Sequence, residues 1–316
     1  MGKATGMMFP GQGSQAVGML ADLAAGHAAI GSTFAEASAA LGEDLWALVQ
    51  NGPAEDLDRT ENTQPALLTA SVALWRAWQA AGGPSPAIAA GHSLGEYSAL
   101  VAAEAMSLAD AVVLVRERGK LMQAAVPAGE GGMAAILGLE AEQVEQCCAE
   151  AAGDGVVAPA NYNAPGQVVI AGDAAAVERA IAACKAAGAK RAMALAVSVP
   201  SHCRLMTPAA EKFAARLEAL AIAEPRFPII QNLDAQASSD AGGIRRRLLA
   251  QLHSPVRWTE SVAAMGGQGI GLLLECGPGK VLAGLVKRID REIETAALGD
   301  AASFAAALDK AREMAA

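Results

Sequence analysis

The pentapeptide Gly91-His92-Ser93-Leu94-Gly95 constrains this chain more than any other stretch. It has the form G-x-S-x-G. A short apolar run, Pro86-Ala87-Ile88-Ala89-Ala90, precedes it. From Leu94 to Ala103, Leu94, Tyr97, Leu100 and Val101 recur at helical spacing. Strand, tight turn, serine and helix in that order make a nucleophile elbow. The turn is strained, and the flanking glycines leave room that a side chain would obstruct. Ser93 Oγ would then stand clear of the sheet, with a helix N-terminus behind it to stabilise negative charge. A glycine-flanked serine can also simply cap a helix; the strand before it and the helix after it favour the elbow.

Glycine-rich punctuation recurs along the chain. Gly6-Met7-Met8-Phe9 reads as a buried strand ending at Pro10-Gly11-Gln12-Gly13-Ser14-Gln15. That loop formally matches a variant dinucleotide fingerprint, but Pro10 intrudes and no strand ending in an acid follows at the required distance. A glycine-rich loop after a strand also presents backbone N–H groups to an oxyanion. Helical patterns follow at about 29–42 and 54–59, and Gln64-Pro65 opens a helix to about Ala80 that Gly82-Gly83-Pro84 ends. Ser107-x-x-Asp110 opens another, to about Ala125. On it, Arg116 shares a polar flank with Lys120 and Gln123. Arg118 shares the other flank with Ala111, Leu114, Met122 and Ala125. An arginine among apolar neighbours requires an anionic partner, either a core carboxylate or a substrate carboxylate bound bidentately.

Between 128 and 197 the pattern changes. Gly132–Leu139 reads as strand, Glu140–Ala152 as helix, Val156–Tyr162 as strand, Asn163–Gly166 as turn, Gln167–Ala171 as strand, Ala174–Ala187 as helix and Arg191–Val197 as strand. That β-α-β-β-α-β order is ferredoxin-like. The chain then returns with Val199-Pro200-Ser201-His202, a helix from about Pro208 to Leu220, an apolar strand Phe227–Asn232, a helix Ile244–Leu252, and a buried strand Leu272–Cys276. Gly277-Pro278-Gly279-Lys280 follows, without the first glycine and the hydroxyl residue of a phosphate-binding loop. Alternating strands and helices give an α/β fold with a mostly parallel sheet. The predicted division is a discontinuous large domain, 1–127 with 198–316, carrying an inserted subdomain, 128–197.

The 316 residues are enough for a substantial core, and at 53% hydrophobic but 3% aromatic it is built mainly from Ala, Leu, Val and Ile. A net charge of −9 argues against nucleic acid or an anionic membrane as the main partner. Five cysteines without a C-x-x-C motif suggest neither a zinc knuckle nor a dithiol redox site, and their odd count fits reduced thiols in a cytosol. Neither a signal peptide nor a membrane span is predicted, which points to a cytoplasmic protein.

A serine nucleophile needs a base, and the chain has four histidines: 27, 92, 202 and 253. His92 adjoins the serine within the elbow and should point away from it, bracing the turn. His27, early and in a Gly/Ala context, is expected to be exposed. His202 and His253 remain, and His202, on a loop that follows a strand end, is favoured. No acid is well placed to orient the base. Asp154 and Asp173 lie in turns of the insert, so an amide or a backbone carbonyl takes that part.

Together, Phe9–Gln15, Thr63-Gln64-Pro65-Ala66, Gly91–Glu96, Arg118-Gly119-Lys120, Asn161–Gln167, Val199-Pro200-Ser201-His202 and Gly277–Lys280 resemble the bacterial malonyl-CoA:acyl-carrier-protein transacylases of type II fatty acid synthesis. The motifs stand in that family's order from residue 9 to 280. The resemblance implies a hydrolase-like α/β core with a ferredoxin-like insert. It implies Ser93 as the acylated nucleophile, His202 as its base, backbone N–H groups of Gln12 and Leu94 as the oxyanion hole, and Arg118 on the malonyl carboxylate. It also implies that the Gln251 carbonyl holds His202, that Gln64 lines the site, and that Asn163 lies near the pantetheine arm. Malonyl-CoA and acyl carrier protein would be the partners of a monomer with no metal and no other cofactor. An acidic carrier needs a local basic surface. Lys185, Lys190 and Arg191, Arg245–Arg247, and Lys287-Arg288 are candidates. A serine hydrolase or thioesterase shares the elbow and base and differs in letting water accept the acyl group.

Overall fold

A computed structural model describes residues 4–197, 199–238 and 240–315. Met1–Lys3 and Ser198, at the limits of the expected division, lie outside the described residues, as do Ser239 and Ala316. The strands are β1 (Ala4–Phe9), β2 (Ile88–Gly91), β3 (Gly131–Leu137), β4 (Val157–Ala164), β5 (Gln167–Asp173), β6 (Arg191–Ala194), β7 (Ile229–Ile230), β8 (Ile270–Glu275) and β9 (Glu294–Ala297).

Five of them form a wholly parallel sheet in the order β7-β2-β1-β8-β9. Met7, Met8 and Phe9 of β1 are all buried, the continuous apolar run expected of a central strand covered by helices on both faces. The Thr60–Ala80 and Leu108–Ala125 helices pack together over one face, with Leu67, Leu74, Trp78 and Val115 in the main core. Trp258, Val262, Leu282 and Val286 cover the other. Because β1 has β2 on one side and β8 on the other, the chain reverses direction across the sheet at β1. The loops after β1, β2, β7 and β8 therefore meet at one sheet edge, where open α/β sheets bind ligands.

The remaining strands form an antiparallel sheet, β4-β5-β3-β6, the ferredoxin-like order. The Ala141–Ala152 and Ala174–Ala186 helices cover one face through Val144, Cys148, Val177 and Cys184. Neither of these two helices covers the opposite face. Its Met133 and Val169 instead wall a cavity over the edge of the large sheet. Backbone bonds tie β4 to the segment before the Trp258–Gly267 helix: Tyr162 N–H donates to the Val256 carbonyl at 2.9 Å, and Val256 N–H to the Ala160 carbonyl at 2.9 Å.

Several boundaries differ from the sequence expectation. The helix expected to open at Gln64-Pro65 begins at Thr60, so Pro65 sits inside it and forgoes one intrahelical bond. The expected turn at Asn163–Gly166 shrinks to Pro165-Gly166, because β4 continues through Ala164 with an irregularity between Tyr162 and Ala164. The strand expected over Arg191–Val197 stops at Ala194, and Leu195–Val197 turn into the cavity wall. The strand expected over Phe227–Asn232 pairs only at Ile229–Ile230, since Gln231 and Asn232 leave the sheet to bond a buried carboxylate. His27 is half-buried rather than exposed, its ring 4.7 Å from that of Phe304.

Candidate active site

Ser93 stands at φ 50, a backbone conformation unfavourable to a side-chain-bearing residue, held between two glycines that permit it. A Cβ on Gly91 would lie 1.9 Å from the Gly95 carbonyl carbon, and one on Gly95 would lie 2.0 Å from the Phe9 oxygen. Only glycines let β1, β2 and the Gly95–Ala102 helix approach this closely, and that approach sets Ser93 above the sheet edge.

His202 reaches the serine from the loop that follows the antiparallel sheet. Its Nε2 lies 2.7 Å from Ser93 Oγ, and its Nδ1–H donates to the Gln251 carbonyl at 2.8 Å. A hydrogen on Nδ1 leaves Nε2 free to accept the serine proton. His202 is itself at φ 62, with its N–H donating to the Leu252 carbonyl at 3.1 Å. Burial, followed by the Arg118 charge, pushes its pKa down to about 3, so the ring is neutral near pH 7.

Arg118 is buried on the Leu108–Ala125 helix. Its guanidinium donates to Gln64 Oε1 at 2.9 Å, to Gln251 Oε1 at 3.0 Å and to Ser93 Oγ at 3.4 Å, and lies 5.5 Å from the Tyr97 ring centroid. No carboxylate forms an ion pair with it among the described residues; its partners are amides, a hydroxyl and an aromatic face. A cation so placed has free capacity for an incoming anion beside the serine.

A cavity of about 500 Å³ opens onto these groups. Gln12, Ser93, Leu94, Arg118, Asn163 and His202 line it. The N–H groups of Gln12 and Leu94 have no acceptor among the described residues, as donors for a transient oxyanion require. Asn163 Oδ1 lies 2.8 Å from His92 Nε2, so His92 braces the elbow from outside, and burial holds its pKa below the ordinary range. Gln64 and Gln251 are buried behind the cavity wall and act on it through Arg118 and His202. His253 takes no part in this cluster.

Sequence reasoning missed Asn232. Its Oδ1 accepts the Ser93 N–H at 2.7 Å and its Nδ2 donates to the Gly91 carbonyl at 2.6 Å, strapping the strained residue in place. The signal for it is an amide at the end of an apolar strand that should stop at the same sheet edge.

The acyl transferase domain model matches residues 7–301. The malonyl CoA-acyl carrier protein transacylase of Salmonella typhimurium is 59% identical over 95% of this chain and 97% of its own length. This chain belongs to the malonyl CoA-acyl carrier protein transacylase family. Among solved members of the family, an acyl carrier protein S-malonyltransferase from Vibrio cholerae superposes with a TM-score of 0.95 at 58% identity, covering 96% of this chain and 99% of that one. A type II PKS acyl-carrier protein in complex with its malonyl-transacylase gives a TM-score of 0.96 at 56% identity, covering 97% and 99%.

Proposed function

We propose that this acyltransferase moves a malonyl group from malonyl-CoA to the phosphopantetheine thiol of acyl carrier protein, in fatty acid biosynthesis, through a malonyl ester on Ser93. The observation that carries the proposal is that one oxygen, Ser93 Oγ, meets both the His202 imidazole at 2.7 Å and the Arg118 guanidinium at 3.4 Å. A base alone suits any serine hydrolase; a buried cation within reach of the same oxygen suits an acyl group that ends in a carboxylate. The relatives' names and the carrier-protein complex support the same substrates.

In the first half-reaction, His202 Nε2 takes the Ser93 proton as Oγ attacks the thioester carbonyl. The oxyanion would sit against the Gln12 and Leu94 N–H groups, one such donor being worth about 3–4 kcal/mol in the transition state. The imidazolium forms only alongside that negative charge, which suits a buried ring that otherwise stays neutral. The C–S bond breaks, and the CoA thiolate leaves with the proton from His202. In the second half-reaction the carrier's thiol gives its proton to His202, attacks the malonyl-serine ester, and Ser93 recovers its proton. Throughout, the malonyl carboxylate pairs with Arg118, with Gln64 and Gln251 holding the guanidinium in orientation. Asn163 and the Leu195–Val197 segment border the path of the pantetheine arm.

The chain divides into a large domain, 1–127 with 198–316, and a small one, 128–197, whose sheet walls the cavity through Met133 and Val169. We read it as a cytoplasmic monomer with neither nucleic acid nor membrane as a partner. The five free, buried cysteines are consistent with a reducing compartment, and among the described residues no helix is long and apolar enough to cross a membrane. The test is to follow labelled malonyl-CoA in the presence of carrier protein. The expected product is malonyl thioester on the carrier; release mainly as free malonate would make the protein a thioesterase.

A further inference from the structure

Beneath the serine and histidine lies an acid that the proposed mechanism does not use. Glu96 is fully buried in the first turn of the Gly95–Ala102 helix. Its oxygens meet only donors. Gln231 Nε2 donates to Oε1 at 3.0 Å; the Asn232 backbone N–H at 2.8 Å and Gln251 Nε2 at 3.1 Å donate to Oε2. Burial raises its pKa above the ordinary glutamate range, while these three N–H donors and the Arg118 charge act against that and favour the carboxylate.

The groups that hold Glu96 also hold the reacting residues. Asn232, bonded to Glu96 through its backbone, uses its side chain to bind Ser93 N–H at 2.7 Å and the Gly91 carbonyl at 2.6 Å. Gln251, bonded to Glu96 through its Nε2, gives the same nitrogen to the Ser93 carbonyl at 3.0 Å. Its backbone carbonyl receives His202 Nδ1–H at 2.8 Å, and its Oε1 receives Arg118 at 3.0 Å. The chain segments carrying serine and histidine are 109 residues apart, and both are anchored one residue away from the same carboxylate.

We propose that Glu96 is a positioning residue for the acyl transfer: through Asn232 and Gln251 it fixes the strained Ser93 backbone and the carbonyl that aims His202 in register with each other. This rests on the reading of Ser93 and His202 as nucleophile and base. Glu96 thereby supplies, from beneath the site and through amides, the anchoring that an acid at the histidine supplies directly in other serine enzymes.

The test compares wild type, Glu96→Gln, Glu96→Asp and Asn232→Ala in single-turnover reactions with malonyl-CoA and with a fluorophosphonate. The phosphonate carries no carboxylate and so does not need Arg118. Glu96→Gln keeps the size but turns an acceptor into a donor facing N–H groups. It is expected to retain a cooperative thermal transition while losing about a hundredfold in rate with both reagents, because small misplacements of reacting atoms cost that much. The loss should fall on kcat, with KM for malonyl-CoA within about threefold of wild type. Glu96→Asp, which keeps the charge, should recover part of the rate. A phosphonate rate within about threefold of wild type in Glu96→Gln overturns the proposal, including the case where only the malonyl reaction slows, since the carboxylate would then serve Arg118 alone. If Glu96→Gln does not fold, Asn232→Ala decides: it removes the strap from Ser93 and leaves the carboxylate in place, and an undiminished phosphonate rate there also overturns the proposal. If neither reagent modifies Ser93 in wild type, the assignment of nucleophile and base falls first, and this inference with it.

Discussion

Arg118 is the residue that separates this site from a general serine esterase. Its guanidinium is buried, and burial alone pushes its pKa below the ordinary arginine range while the Tyr97 ring and the Glu96 charge oppose that. A bound acetyl group leaves the cation without its anion; a malonyl group supplies it. Arg118→Ala should therefore lower the ratio of malonyl to acetyl transfer by about a hundredfold, read from kcat/KM for the two CoA esters. Equal losses for both would remove its part in selection. His202 gives a pH prediction. With its pKa driven down to about 3 by burial, then Arg118 and His92, it remains a base well below the usual 6.5, so acylation should show no inflection near pH 6.5. The stability consequence has the same direction. The unfolded ring takes a proton before the folded one, so the stabilisation present above 6.5 is lost as pH falls toward 3. Chemical denaturation at stepped pH checks this, and His202→Gln should flatten the profile across that window. At this scale the sequence was legible where a residue type carries its own chemistry: a serine between glycines, an arginine on an apolar flank. Asn232 and the Gln251 side chain were not legible, because an amide's part depends on which backbone groups the fold brings to it.

At the scale of the element, the elbow works by close approach. The Gly95 Cα faces the Phe9 carbonyl of the neighbouring strand, and backbone on both sides leaves nothing that can rotate away. Gly95→Ala should destabilise the protein by about 3 kcal/mol or more, measured as a shift in urea midpoint at unchanged slope, and abolish acylation. A variant of near-normal stability would show that the elbow has more room than these contacts allow. Helix starts with side-chain caps were readable: Ser107 accepts the Asp110 N–H at 3.0 Å, and that helix begins where its cap predicts. Boundaries set by tertiary partners were not. After Ile230 the chain leaves the sheet because Glu96 takes the Gln231 side chain and the Asn232 backbone N–H, and Asn163 stays in β4 to meet His92.

At the scale of the molecule, the switch point at β1 gathers four loops, and the antiparallel sheet closes over them with the face that carries Met133 and Val169. Alternation of strand and helix predicted both layers, since each period is local. It could not give the contact between them, for Met133, Val169 and the Leu195–Val197 segment read in sequence as ordinary strand residues. The candidate basic patches divide in the same way. Arg245 donates to the Leu217 and Leu220 carbonyls and Arg247 pairs with Asp234, so these two serve the fold. Lys287 and Arg288 are exposed on the helix whose Val281, Leu282 and Leu285 line the cavity mouth. Charge reversal at Lys287 and Arg288 should raise KM for the carrier protein, by about tenfold, and leave KM for malonyl-CoA unchanged. A rise in both, or in neither, would place the carrier elsewhere.

The most direct test of the central claim is intact-protein and peptide mass spectrometry after brief incubation with malonyl-CoA. The expected result is one malonyl group, on the peptide containing Ser93, absent in Ser93→Ala and discharged on adding carrier protein. A malonyl adduct that persists in Ser93→Ala, or one on Ser93 that the carrier's thiol does not remove, would contradict it.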